Sequence, residues 1–151
     1  MRAVRTDRFK YIRNYYPDRP HLQPCAYKDK KEIMVQLRAL HANGKLSEMQ
    51  DRVLFSTTRP KEELYDLHID PFELNNLVAD AAHSATLDTL RGNLREWIGA
   101  TGDRGQFPES ASMYDSDMKV YVDGMKRKSP DHAKVIESNI AQMKKWAAEG
   151  K

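Results

Sequence analysis

The chain has 151 residues, 31% of them charged and 40% hydrophobic, with a net charge of +3. So short and polar a sequence supports only a modest core spread over several helices, expected as one compact region with a loosely attached tail. Its single cysteine excludes an intrachain disulfide, no apolar run is long enough to span a bilayer, and Arg2, Arg5, Arg8 and Lys10 interrupt any secretory-signal pattern at the start.

Taken in order, Arg2 to Thr6 and Phe9 to Tyr15 read as a hairpin around Asp7 and Arg8. Alternation places Phe9, Tyr11, Arg13 and Tyr15 on one face of the second strand and Ile12 on the other. Pro17, Pro20 and Pro24 each remove a donor and restrict the preceding residue, so Tyr16 to Lys28 is predicted to be an extended loop, a kind of segment that often carries recognition residues. Asp29 with Glu32 predicts a capping box ahead of a helix in which Ile33, Leu37 and Leu40 share a face and which Gly44 ends. Ser47 with Gln50 repeats the device for a short helix reaching about Val53 or Leu54. Both helices are read as packing elements.

Leu64 to Leu67 reads as a strand. Asp70 is then expected to cap a helical turn beginning at Pro71, with Glu73 reaching back to the Asp70 N–H and Asn75 and Asn76 ending the turn. Asp80 can cap the next helix, where Leu87, Leu90, Leu94, Trp97 and Ile98 recur at helical spacing and read as core until Gly102 stops it. Beyond a Pro108-Glu109-Ser110 loop, Met118, Tyr121, Val122 and Met125 suggest a short helix. Ser129 before Pro130 caps a last one, whose stripe is Ile136, Ile140, Met143 and Ala147 and whose stop is Gly150.

The expected fold class is therefore α+β: a small antiparallel β-sheet packed by a long helix, with a helical insert and a helical tail. The predicted division is 1–105, made of a hairpin (1–15), a proline-rich loop (16–28), a helical insert (29–55) and a strand with the long helix (62–102), followed by a helical tail at 106–151. His21, His41, His68, His83 and His132 are scattered without ligand spacing, and the carboxylates of Asp66 and Asp70 beside His68 are explained by the turn, so no metal is assigned. Basic residues are interleaved with nearly as many acidic ones and no nucleic-acid recognition motif is present, so no nucleic-acid partner and no membrane partner is expected.

The run E-E-L-Y-D-L-H-I-D-P-F-E-L-N-N-L-V-A-D from Glu62 to Asp80 resembles the closing segment of the sulfatase family, where a strand E-L-Y-D-L precedes D-P-x-E-x-x-N-L and a long helix. R-A-V-R-T-D-R-F-K-Y-I-R-N, from Arg2 to Asn14, is similar to the hairpin that opens the sulfatase C-terminal subdomain. Y-Y-P-D-R-P-H-L-Q-P, at Tyr15 to Pro24, looks most like bacterial sulfatases similar to N-sulfoglucosamine sulfohydrolase. T-G-D at Thr101 to Asp103 sits where such chains leave their last long helix.

The resemblance implies an arylsulfatase-like hydrolase of sulfate esters or sulfamates of sulfated carbohydrates. Its catalytic formylglycine is made from Cys or Ser in C/S-x-P-x-R and lies beside a calcium ion in a large domain. Cys25 is followed by A-Y-K-D, so this chain supplies no catalytic residue and no cofactor ligand, and is expected to be inactive alone. The implied partner is the N-terminal catalytic sulfatase domain, with one wall of its pocket completed here, and the implied location of the full protein is periplasmic or extracellular. A chain opening inside the subdomain's first strand would be a downstream fragment, with Met1 an internal methionine. Tyr15, Tyr16, Arg19, His21 and Gln23 are the candidate contacts to a sulfated glycan, because Arg makes paired bonds to an oxyanion and Tyr stacks on a sugar face. The alternatives are a standalone binding or assembly protein derived from such a subdomain, or a small basic nucleic-acid-binding protein.

Overall fold

The structure is a computed structural model that describes residues 1–108, 110 and 112–151, the side chains of Ala26 and Asp117 aside; Glu109 of the predicted loop lies outside the described residues. In chain order the elements are β1 (Arg2–Arg5), β2 (Phe9–Arg13), α1 (Ala26–Asp29), α2 (Glu32–Ala42), α3 (Glu48–Phe55), β3 (Glu62–Asp66), α4 (Ser84–Thr101), α5 (Ser112–Asp115), α6 (Asp117–Lys128) and α7 (Pro130–Ala148), with a 3₁₀ turn at Ala81–His83. They form two compact units, one of Met1–Pro17 with Arg59–Phe107 and one of Asp18–Thr58 with Pro108–Lys151.

The first unit is built on the hairpin. Thr6 closes its turn twice, its backbone N–H donating to the Phe9 carbonyl at 2.8 Å and its hydroxyl accepting the Phe9 N–H at 2.9 Å. β1 pairs antiparallel with β2, Arg2 opposite Arg13, and β3 pairs antiparallel on the other side, Phe9 opposite Asp66, giving the order β1-β2-β3. The third strand covers Glu62–Asp66 rather than the Leu64–Leu67 read from its apolar residues, because Glu62 and Glu63 keep register with Arg13 and Ile12.

That register sets Tyr11 opposite Leu64, and both are buried under α4, which contributes Leu87, Leu90 and Leu94, with Val4, Phe9, Leu77, Val78 and Ile98 around them. Each buried leucine stabilises the unit by about 2 kcal/mol. The fold class read from the sequence is the one observed: α+β, with a small antiparallel sheet covered by a long helix. Trp97 is a correction, since it falls on the edge of the stripe centred on Leu87, Leu90, Leu94 and Ile98 and is 47% exposed. Asp80 accepts the Ala82 N–H and so caps the 3₁₀ turn that leads into α4, and Gly102, at φ 63°, supplies the left-handed stop.

The turn after β3 also differs from expectation. No helix starts at Pro71; the Asp70 carbonyl accepts the Glu73 N–H in a single turn, and the Asp70 carboxylate reaches forward to the Leu74 and Asn75 N–H groups, both at 2.8 Å. Glu73 adopts φ 58° and binds the Lys10 ammonium through both oxygens at 2.7 Å, so it does not return to Asp70. Asn76 acts as a short strand surrogate, accepting the Leu64 N–H at 2.9 Å and donating to the Glu62 carbonyl at 3.1 Å.

In the second unit α6 packs on α7, burying Val122, Ala133 and Ile136. The loop after Asp18 is not extended to Lys28 but turns into α1 at Ala26, and Asp29 does not cap α2. Its carboxylate instead accepts the Cys25 N–H, the Arg38 guanidinium and the Asn139 amide, tying α1 to α2 and α7. Ser47 and Gln50 do form the capping box predicted for α3. Ser129 occupies the cap position of α7 without a side-chain bond, Pro130 following at the first turn. Gly44 and Gly150 take φ of 61° and 71° at the helix ends where they were expected.

Candidate functional site

The strand and turn from Glu62 to Asp80 carry the densest polar network in the first unit. Glu62 opens β3 opposite Arg13 and below α4, where Arg91 donates from Nε at 3.0 Å and Nη2 at 2.6 Å. The Tyr11 hydroxyl donates to the same carboxylate at 2.5 Å, and Arg13 lies at 3.3 Å. The Arg91 bonds, opposed by burial and helped by Tyr11, hold the Glu62 carboxyl down to about 2. Burial first, then Glu62, pushes the Tyr11 phenol up to about 12.

Neither group therefore exchanges a proton near neutral pH, and the network anchors α4 to the sheet without offering an acid or a base. Asn14 is buried beside it, donating to the Pro60 carbonyl at 2.8 Å and to Glu63 at 2.6 Å. Tyr65 donates to the other Glu63 oxygen, and its phenol is raised by burial and by that carboxylate.

Asp66, His68 and Asp70 do not form a cation site. Asp66 takes Arg8 from Nε at 2.9 Å and Nη2 at 2.6 Å, a bond that lowers its carboxyl, and also accepts the His68 backbone N–H. Asp70 accepts two backbone N–H groups on Oδ2. These oxygens do not fit calcium, and Cys25, whose following residues are A-Y-K-D, does not fit a formylglycine precursor. Among the described residues no three His, Cys, Asp or Glu side chains converge as a metal site.

The five loop candidates fall in different units. Tyr15 and Tyr16 leave β2 in the first unit, Tyr15 with its hydroxyl buried and Tyr16 donating to the Gln106 carbonyl at 3.1 Å. Arg19, His21 and Gln23 belong to the second. Arg19 is 8% exposed, donates to the Lys151 carbonyl at 2.6 Å and lies 5.6 Å from the centre of the Trp146 ring. His21 is exposed, and its carbonyl accepts the Gln23 N–H at 3.1 Å. Within the second unit, Leu22 and Pro24 border an open cleft of about 470 Å³ whose wall includes Arg38 and Lys134. Those two cations are paired with Asp29 at 2.6 Å and Asp131 at 3.1 Å.

One cluster was missed by sequence reasoning. His41, in the last turn of α2, stacks on Phe55 of α3 with centroids 4.1 Å apart and planes 5° apart, while its Nδ1 lies 2.6 Å from the Asp51 carboxylate. The spacing His41, Asp51, Phe55 shows nothing by itself; only the reversal at Gly44 brings the three together.

No protein-family model matches the chain. It is 44% identical over 110 residues to a protein of Formosa agariphila named an ulvan-active sulfatase, an alignment covering 73% of this chain and 18% of that protein. A second ulvan-active sulfatase of the same organism is 30% identical over 103 residues, covering 68% of this chain and again 18% of the relative. The chain is similar to part of a sulfatase. It spans about a fifth of the length of the curated relatives it matches. Among the described residues no helix is long and apolar enough to cross a membrane.

Proposed function

We propose that this chain is the C-terminal subdomain of a sulfatase acting on sulfated carbohydrate, of the kind resembling N-sulfoglucosamine sulfohydrolase, and that its work is positional. The observation that carries the reading is the 44% identity over 110 residues to an ulvan-active sulfatase. The carboxylates around β3 agree with it, because Glu62 holds α4, Asp66 holds Arg8 of the hairpin and Asp70 holds the turn after β3. Hydrolysis belongs to a large domain that supplies the formylglycine and the calcium ion, at a periplasmic or extracellular location. This chain completes one wall of the pocket, and of the loop residues the exposed His21 and the half-buried Gln23, both in the second unit, face a sulfate or sugar group.

The test is a graft in which the 151-residue chain replaces the matched stretch of the 44%-identical relative. Release of sulfate from ulvan by the graft, with none from the chain alone, is the expected result. A folded graft without activity, or sulfate release by the chain alone, refutes the assignment.

A further inference from the structure

Helices of 11 and 8 residues, the lengths of α2 and α3, do not persist in water on propensity alone; an apolar face packed on something else holds such elements in place. Yet neither helix buries any described side chain. Ile33, Leu40, Met49 and Val53 are 68%, 38%, 50% and 44% exposed. By spacing, Ile33 and Leu40 share one face of α2 with the half-buried Leu37, and Met49 and Val53 share one face of α3, so these are two rows rather than scattered residues.

The bonds that order the pair leave those rows uncovered. Arg38 ties α2 to Asp29, and His41 ties α2 to α3 through Asp51 and the Phe55 ring. His41 thereby holds the two helices to each other while Ile33, Leu40, Met49 and Val53 meet solvent.

From this geometry we infer that the α2–α3 pair is the surface by which this chain docks onto the remaining body of a sulfatase. The inference rests on the function proposed above. The occupant is argued from length: the matched stretch is 18% of each relative, so the greater part of a sulfatase lies outside it. An aliphatic double row suits the surface of such a body and not a small polar solute.

Two measurements on the 151-residue chain and on the graft test the docking. In hydrogen exchange, the amides of Glu32–Phe55 in the chain alone should exchange nearly as fast as unstructured peptide, and in the graft about a hundredfold more slowly. Ile33→Glu together with Leu40→Glu should leave the thermal melting of the chain alone unchanged. The same pair should lower sulfate release by the graft at least about tenfold, because each charge would be buried without a partner.

Strong protection of Glu32–Phe55 in the dilute chain alone overturns the inference, as does a graft that tolerates both glutamates. Protection of the chain alone that grows with its concentration also overturns it, naming a second copy as the occupant. An inactive graft with its native residues strikes the sulfatase reading instead, and the docking proposal falls with it.

Discussion

The charge on Glu62 should be a measurable part of what holds α4 on the sheet. Folding lowers its carboxyl from an ordinary 4.5 to about 2, which corresponds to roughly 3 kcal/mol by linkage. The Glu62 side chain is 18% exposed, but its partners Arg13 and Arg91 are 42% and 32% exposed, so screening reduces the expected contribution to about 1–2 kcal/mol. Because the folded value is the depressed one, this stabilisation is complete above the unfolded value near 4.5 and is lost as the pH falls through about 2. Near pH 2.5 about a quarter of it should survive.

Glu62→Gln keeps the shape and one acceptor oxygen while removing the charge. The chain has two tryptophans, and Trp97 and Trp146 lie in different units, so a Trp146→Phe background makes fluorescence report the first unit alone. Urea unfolding in that background should show Glu62→Gln costing about 1–2 kcal/mol at pH 7 and much less at pH 2.5. An equal loss at both values would mean that Glu62 contributes through shape and not through charge. No loss at pH 7 would mean that Arg91 finds equal stabilisation elsewhere.

Asp70→Ala should destabilise the first unit by about 1–3 kcal/mol in the same assay, since the Leu74 and Asn75 N–H groups lose their acceptor, and Asp70→Asn should cost less. Asn76→Ala should cost a similar amount and speed exchange of the Leu64 amide, which bonds to its side-chain oxygen. In the graft, Arg19→Ala should raise KM more than it lowers kcat if the loop faces substrate; unchanged kinetics with a lowered melting temperature would leave Arg19 only its anchoring to Lys151 and Trp146.

What could be read from the sequence was what a residue does with its own neighbours. Ser47 and Gln50 cap α3 across three residues, Gly44 and Gly102 reverse the chain where a left-handed residue is needed, and the leucine row of α4 follows from its period. The same logic went wrong wherever a carboxylate had a distant suitor. Asp70, Pro71 and Glu73 spell a helix start, but Lys10, brought alongside by the pairing of β2 with β3, takes Glu73. Asp29 and Glu32 spell another, but Arg38 and Asn139 take Asp29.

The candidate site was limited for the same reason. Arg19 reads as an anion binder because its type allows it, and only the return of α7 shows that Trp146 and a backbone carbonyl engage it first. A cap forms from local residues in any conformation that brings three of them together, whereas a carboxylate–cation pair across the fold is decided by topology. Where the two compete for Glu73 and Asp29 in this chain, the bond to a cation prevails, because both partners then carry a full charge whereas a cap sets a carboxylate against a neutral N–H. Short motifs rich in Asp and Glu are therefore the places where a local reading of this sequence deserves least weight, and the glycine stops are where it deserves most.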